Sequence, residues 1–441
     1  MDKNAAKPLM TNVRYGILAM LFVVTTLNFA DRATLAMTAP AIRKDLGLDA
    51  VSMGYIFSAF GWSYTAMQIP SGWLLDKFGS RIVYGLGLFL WSFFTALQGT
   101  VGFFSGASVA IVFFLYRFLM GAAEAPSNPA NARVVACWFP TNQRGLATSI
   151  PNSSQYFALA MFTPIMGWIA TVFGWQHVFY FMGLAGIALA LFWFRVIYDP
   201  HAHPRVNQAE IDFIKAGGGL VDIGNKTEIK WSYIRQMITN RMMIGVYTAQ
   251  FCINTISWFF LTWFPTYLVQ AKGMSILKVG IIAAIPAIAG FIGNLLGGAV
   301  SDWMIRRGIS LTVARKTPIV LGLVMSGSIM IANYVTSEWV VIAVMTLAFF
   351  SKGVGALGWV IVSDTSPKEM VGLSGGIFNF ASNIASIATP IVIGYILQAT
   401  QSFNGALIYV GSMGLLGAAS YLFIVPEIKR VELIKEDNAQ A

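Results

Sequence analysis

The stretch Ile281-Ile-Ala-Ala-Ile-Pro-Ala-Ile-Ala-Gly-Phe-Ile-Gly-Asn-Leu-Leu-Gly-Gly-Ala299 carries no charge, and its apolar residues do not alternate with polar ones. A strand of a membrane barrel alternates at period two over about ten residues, whereas a helix needs about 20 apolar residues to cross hydrocarbon. Helices and closed barrels are the structures that satisfy their own backbone polar groups in lipid, so this stretch reads as a membrane-spanning helix.

Comparable runs recur along the whole chain. They predict spans at 14–38, 52–75, 82–104, 108–131, 145–170, 177–198, 242–269, 278–301, 317–335, 339–361, 371–397 and 404–425. The composition agrees: of 441 residues 56% are hydrophobic and 11% charged, where a soluble domain is roughly a quarter charged. The expected fold is an all-α membrane protein of twelve transmembrane helices in two six-helix bundles. Its expected parts are an N-terminal bundle at 1–198, a linker at 199–240 and a C-terminal bundle at 241–441.

The net charge of +10 invites a nucleic-acid reading, but its distribution decides against one. Roughly 22 of the 29 Lys and Arg fall in the termini and even-numbered connections, the linker above all. The odd-numbered connections hold about four: Arg43, Lys44, Lys272 and Lys278. That asymmetry is the positive-inside pattern and predicts a multi-pass membrane protein with both termini cytoplasmic. Nothing before the first span resembles a cleavable signal peptide. Cys137 and Cys252 are isolated and read as inert apolar residues. His201 and His203 in the linker read as solvated loop residues, so neither a metal site nor another cofactor is expected. Without a nucleophile–base or metal constellation, no enzyme is expected either. Within the linker, Asn207–Lys215 reads as a short helix capped by Asn207.

The two halves echo each other. After span 2 the chain reads Gly72-Trp-Leu-Leu-Asp76-Lys77-Phe-Gly79-Ser-Arg81, and after span 8 Gly298-Ala-Val-Ser-Asp302-Trp-Met-Ile-Arg306-Arg307. Parallel repeats of this kind suit alternating access, in which two similar bundles rock about a midplane site. The first loop resembles the signature loop of the major facilitator superfamily. In that family Gly72 would allow close helix packing, and Asp76, with Arg81 nearby, would meet a helix N-terminus of the other half in one conformation. The second loop is degenerate, with Ile305 where a Gly is usual.

Ionisable residues at bilayer depth are costly unless paired or wet, and so mark function. They are Asp31 and Arg32 in helix 1, Arg117 and Glu124 in helix 4, and Lys352 in helix 10. Arg117, Gly121 and Glu124 stand at i, i+4 and i+7, which puts both charges on one face about 10 Å apart along the axis. The bland reading is a structural ion-pair cluster. The functional one is that the carboxyls take up protons while the arginines hold an anion: burial disfavours a charged carboxylate, and a neighbouring Arg favours it. With both carboxyls protonated the five groups carry a charge of +3, which calls for an anion. Polar stripes at Thr148, Asn152 and Gln155, and at Asn379, Asn383 and Ser386, would suit its hydroxyls, although such residues also bond helices together. Lys352 and Trp359, at i and i+7 of one helix, would share a face.

Longer stretches resemble the anion:cation symporter branch of that superfamily, within it the bacterial glucarate/galactarate permeases. They include Asn28-Phe-Ala-Asp31-Arg32, Arg117 through Pro126, Trp258 through Pro265, Gly355-Ala-Leu-Gly-Trp359 and Ser374 through Asn379. The resemblance implies a proton-coupled symporter of a hexose-derived aldarate in a bacterial inner membrane; the chain is expected to work as a monomer on a small anionic substrate. A monocarboxylate sugar acid such as galactonate or a hexuronate is the alternative substrate. It implies that Asp31 and Glu124 couple protons beside Arg32 and Arg117, and that Tyr64, Gln155, Trp359 and Asn379 contact the substrate. Lys352 in the C-terminal half would neutralise a second carboxylate. Phe29 departs from the usual Tyr, Ser71 from a Gly, and Asn128 from a Phe.

Overall fold

The computed structural model describes residues 10–140, 143–219, 231–366 and 371–431. Every regular element among them is helical. Span 1 is α1 (Val13–Leu46), and span 2 comprises α2 (Ala50–Ala66) with the first part of α3 (Gln68–Gln98). Gly79, at φ 78 and ψ 160, divides α3, and the remainder forms span 3. Only a residue without Cβ adopts that backbone readily, which accounts for this glycine of the signature loop. Span 4 is α4 (Ala107–Glu124) and α5 (Ser127–Trp138); spans 5 and 6 are α6 (Arg144–Val172) and α7 (Trp175–Val196). The linker contributes α8 (Gln208–Ala216) and α9 (Trp231–Thr239).

The second bundle repeats the plan with more interruptions. Span 7 is α10 (Arg241–Thr262) and α11 (Phe264–Gln270), and span 8 is α12 (Ile276–Ile282) and α13 (Ala284–Arg306). Span 9 is α14 (Leu311–Ser326) with a 3-10 turn, and span 10 is α15 (Glu338–Val354) and α16 (Gly358–Thr365). Spans 11 and 12 are α17 (Val371–Thr400) and α18 (Asn404–Ala419). Eleven of the twelve are individually long and apolar enough to cross a bilayer. The second misses that measure because the chain breaks at Met67: Pro70, four residues after Ala66, cannot donate a backbone hydrogen bond to its carbonyl.

The linker is bound to the N-terminal bundle. Asn207 Oδ1 accepts from Glu210 N at 3.1 Å, the expected cap. Glu210, fully buried, accepts in turn from Thr11 Oγ1 at 2.7 Å, Val13 N at 3.0 Å and Arg14 Nη1 at 3.0 Å, and thereby caps α1 from outside it. His203 is not solvated as expected: its ring is 9% exposed and packs edge-on against Trp138 and Tyr198.

The two bundles meet closely at the end remote from the linker. A Cβ on Gly54 would lie 2.7 Å from Pro390 O, one on Gly61 2.2 Å from Ser386 Oγ, and one on Gly394 2.7 Å from Ala50 O. These contacts join α2 to α17. Likewise Thr163 Oγ1 of α6 donates to Gly280 O of α12 at 2.9 Å, and Arg43 Nη1 donates to Gln270 Oε1 at 3.0 Å. Gly61 sets the spacing, since side chains in packed interiors cannot give by an ångström. Gly61→Val is expected to hold the seam apart and reduce transport to background at normal membrane expression. A wild-type rate would mean that α2 and α17 do not close there during the cycle.

Candidate functional site

At the middle of the N-terminal bundle, α1, α2 and α4 converge because Gly121 lets them. A Cβ there would stand 2.5 Å from Phe60 O, so α2 rides directly on α4. Phe60 and Tyr64, stacked at 5.1 Å, thus lie against the Arg32 guanidinium, whose carbon is 4.9 Å and 5.0 Å from their ring centres. Phe29 completes the cage at 5.0 Å. Three aromatic faces hold the cation without neutralising it.

Glu124 neutralises it. Its Oε1 accepts from Arg32 Nε at 2.6 Å, with Nη2 at 2.5 Å, and the carboxylate is fully buried. Asp31 takes another direction: its Oδ2 accepts from Trp91 Nε1 at 3.1 Å, inside the bundle against α3. Arg117 lies between, donating from Nη2 to Arg32 O at 3.3 Å and standing within electrostatic range of both carboxylates. Asp31 Oδ1 and Arg117 Nε are buried without a protein partner, while the Asn28 amide lies within hydrogen-bonding reach of Glu124. Buried polar atoms are ordinarily paired, so two orphans of opposite charge beside an ion pair mark a place that takes up protons or ligand. Directly after Glu124 the helix breaks at Ala125–Pro126.

The structure thus brings Asp31, Arg32, Tyr64, Arg117 and Glu124 together. Asn379 joins them across the seam, donating to Gln68 Oε1 of α3 at 3.3 Å, one turn beyond Tyr64. Gln155 is half-buried, bonded to the carbonyl of the exposed Asn152 at 3.2 Å. Ser386 does not share the cavity with the rest of its stripe: it bonds Asn383 O at 2.6 Å and is sealed against Gly61.

The expected common face of Lys352 and Trp359 is corrected. The chain leaves the helix at Gly355–Leu357, so seven positions no longer define a shared direction. Trp359 is 54% exposed, its ring edge-on to Phe378 at 5.0 Å. Lys352 is 8% exposed, its ammonium 5.2 Å from the ring centre of Phe349. Phe349 walls a small cavity on the axis between the bundles, shared with Ala33 and Ala36 of α1 and Thr163 of α6. No carboxylate or hydrogen-bond acceptor among the described residues partners Lys352. The breaks after Glu124 and after Lys352 occupy corresponding spans of the two halves, and interrupted helices in corresponding positions are where transporters of this architecture build sites.

At the linker end, Arg81 Nη2 donates to Phe194 O at 2.7 Å and its guanidinium lies 3.9 Å over Tyr198. A Cβ on Gly72 would meet nothing within 4 Å, so the close packing expected at that glycine is not made in this conformation. The side chain of Asp76 lies outside the described residues. In the second copy Arg315 binds Asp302 and Asp364, each at 3.0 Å, tying α13, α14 and α16 together.

Sequence reasoning missed Gln68, Trp91 and Phe60, whose types carry no signal until a neighbour is known. Asn128 stood out only as a departure; its Nδ2 donates to Tyr64 OH at 3.0 Å. An amide therefore enters the site on one side while Phe29 leaves it a hydroxyl short on the other.

Two six-helix bundles, one of them enclosing a buried cluster of charge with a helix broken beside it, define a polytopic membrane transporter rather than an enzyme. The chain belongs to the Major Facilitator Superfamily, whose profile matches residues 21–314. It is 56% identical over 433 residues, 97% of this chain and 95% of the other, to a Bacillus subtilis protein named "Probable galactarate/D-glucarate transporter GudP". It is 54% identical to the Escherichia coli "Probable galactarate/D-glucarate transporter GarP", over 96% of this chain and 97% of that one. A "D-galactonate transporter" of E. coli is 41% identical, over 97% and 99% of the two chains. Among solved structures, a bacterial homolog of the human lysosomal transporter Spinster superposes with a TM-score of 0.71 at 18% identity, over 96% of each chain.

Proposed function

We propose that the protein is a proton-coupled symporter that imports a hexose-derived aldarate, glucarate or galactarate, by alternating access. The observation that carries this reading is the Arg32–Glu124 pair with orphaned polar atoms around it. Two partners compete for Arg32: Glu124 while it is ionised, and a substrate carboxylate once Glu124 is protonated. Binding of proton and anion is thereby linked in sign, since each favours the other. The names of the most similar relatives support the aldarate. We place the linker and both termini in the cytoplasm from the charge asymmetry, so the closed end faces outward and Arg32 rests on Glu124 in an inward-facing, unloaded state. The protein acts as a monomer with the proton as its coupling ion, and needs no cofactor.

The test is uptake into proteoliposomes with an imposed pH gradient, acid outside. Labelled glucarate or galactarate should accumulate and collapse back on addition of a protonophore. Accumulation that ignores the gradient would overturn the coupling. In the same assay Arg117→Lys should lose most transport, because an ammonium cannot reproduce the planar fork that holds Arg32 O and Met120 Sδ while facing the two carboxylates. Normal uptake by that variant would show that a positive field alone suffices there.

A further inference from the structure

Of the four cations expected at the end remote from the linker, Arg43 and Lys272 converge on a single cavity of about 340 Å³. Its walls come from both bundles: Arg43 from α1, and Gln270, Lys272, Gln398, Gln401 and Asn404 from the C-terminal half. Arg43 reaches across the seam to Gln270 and also donates from Nε to Leu48 O at 3.3 Å. Lys272 Nζ donates to Val335 O at 3.0 Å, which leaves two of an ammonium's three donors. The acidic group in electrostatic range of Arg43 is Asp49, but its Oδ1 caps α2 through Ser52 N at 2.7 Å. Gln401 holds a φ of 51°, the one left-handed non-glycine among the described residues. It directly follows α17 and closes the last turn, its N donating to Leu397 O at 2.9 Å, which fixes the wall that Gln398 and Gln401 give the cavity.

We propose that this seam cavity is a second, low-affinity site for a hydroxylated carboxylate, and that its occupancy holds the outer end of the transporter shut. Two cations with several neutral amides match a carboxylate flanked by hydroxyls, and the volume suits a small ligand. The site is separate from the central cluster, since Arg43 lies about 16 Å beyond Arg32 along α1. Because its two cations belong to opposite bundles, one anion bridges them only while the seam is closed. A ligand shifts a conformational equilibrium by its difference in affinity for the two states, so this one favours the closed state. External sugar acid in excess should therefore slow its own uptake. The ligand class rests on the function proposed above; the cavity and its cations do not.

The test uses Gln398→Cys, with Gln401→Cys as a second reporter should the first fail to fold. The native Cys137 and Cys252 are buried and leave the new thiol as the reactive one. Millimolar D-glucarate should slow maleimide labelling of that thiol severalfold, neutral glucitol should not, and Lys272→Gln should remove the protection. Protection should survive in an Arg117→Ala background, where the central site is disabled. In transport, uptake should decline at high external glucarate, and Lys272→Gln should relieve the decline. Equal labelling with and without glucarate, or equal protection by glucitol, overturns the proposal. Loss of protection with Arg117→Ala traces the effect to the central site and equally overturns it. Failure of gradient-driven accumulation with protection intact would instead count against the central reading alone.

Discussion

Glu124→Gln and Asp31→Asn are expected to abolish gradient-driven accumulation, each lowering it to the downhill level, while substrate exchange across the membrane continues. Exchange needs no net proton movement, so it separates lost coupling from lost folding. The two variants should differ in binding. Removing the charge of Glu124 leaves Arg32 a neutral amide acceptor and its three aromatic neighbours, so that a substrate carboxylate can displace the amide. Substrate-induced thermal stabilisation of Glu124→Gln should therefore be retained or increased, following the mass-action rule for ligands that bind the native state. Asp31 touches Trp91 rather than an arginine, so Asp31→Asn should leave stabilisation close to wild type. Accumulation at wild-type levels in both variants would show that the cluster merely holds helices together.

Lys352→Gln is expected to change which acid is carried. A buried ammonium with no carboxylate partner is costly in apolar surroundings, and a ligand charge is the means of relieving it. An extended six-carbon aldarate carries carboxylates at both ends; Arg32 and Arg117 on the N-terminal side can meet one of them. Lys352, on the ring of Phe349 at the wall of the axis between the bundles, is the cation on the opposite side. Truncating one partner of a desolvated charge pair commonly costs about 2–5 kcal/mol. Glucarate and galactarate transport should fall accordingly, while galactonate, with one carboxylate, is spared or improved. Competition between both acids on the same variant decides the matter, and an equal loss for both would sink the two-ended arrangement.

The sequence by itself determined the membrane class, the twelve spans and the two-bundle plan. Lipid leaves the backbone so few options that an uncharged run such as Ile281–Ala299 has a single reading. It also determined which ionisable residues lie at depth, because few side chains of that kind survive there without a purpose. Tertiary structure alone decided their partners. Arg32 and Asp31 are adjacent in the chain, yet one turns to Glu124 across α4 and the other to Trp91 across α3. Neighbouring positions on a helix point about 100° apart, and what each meets depends on the helix packed there. Gly121 and Gly61 set those approaches, and each shows its role only against the backbone or side chain it admits. Helix periodicity was reliable within an unbroken segment, as for Arg117 and Glu124. It failed for Lys352 and Trp359, where Gly355–Leu357 interrupts the helix and local spacing no longer fixes direction.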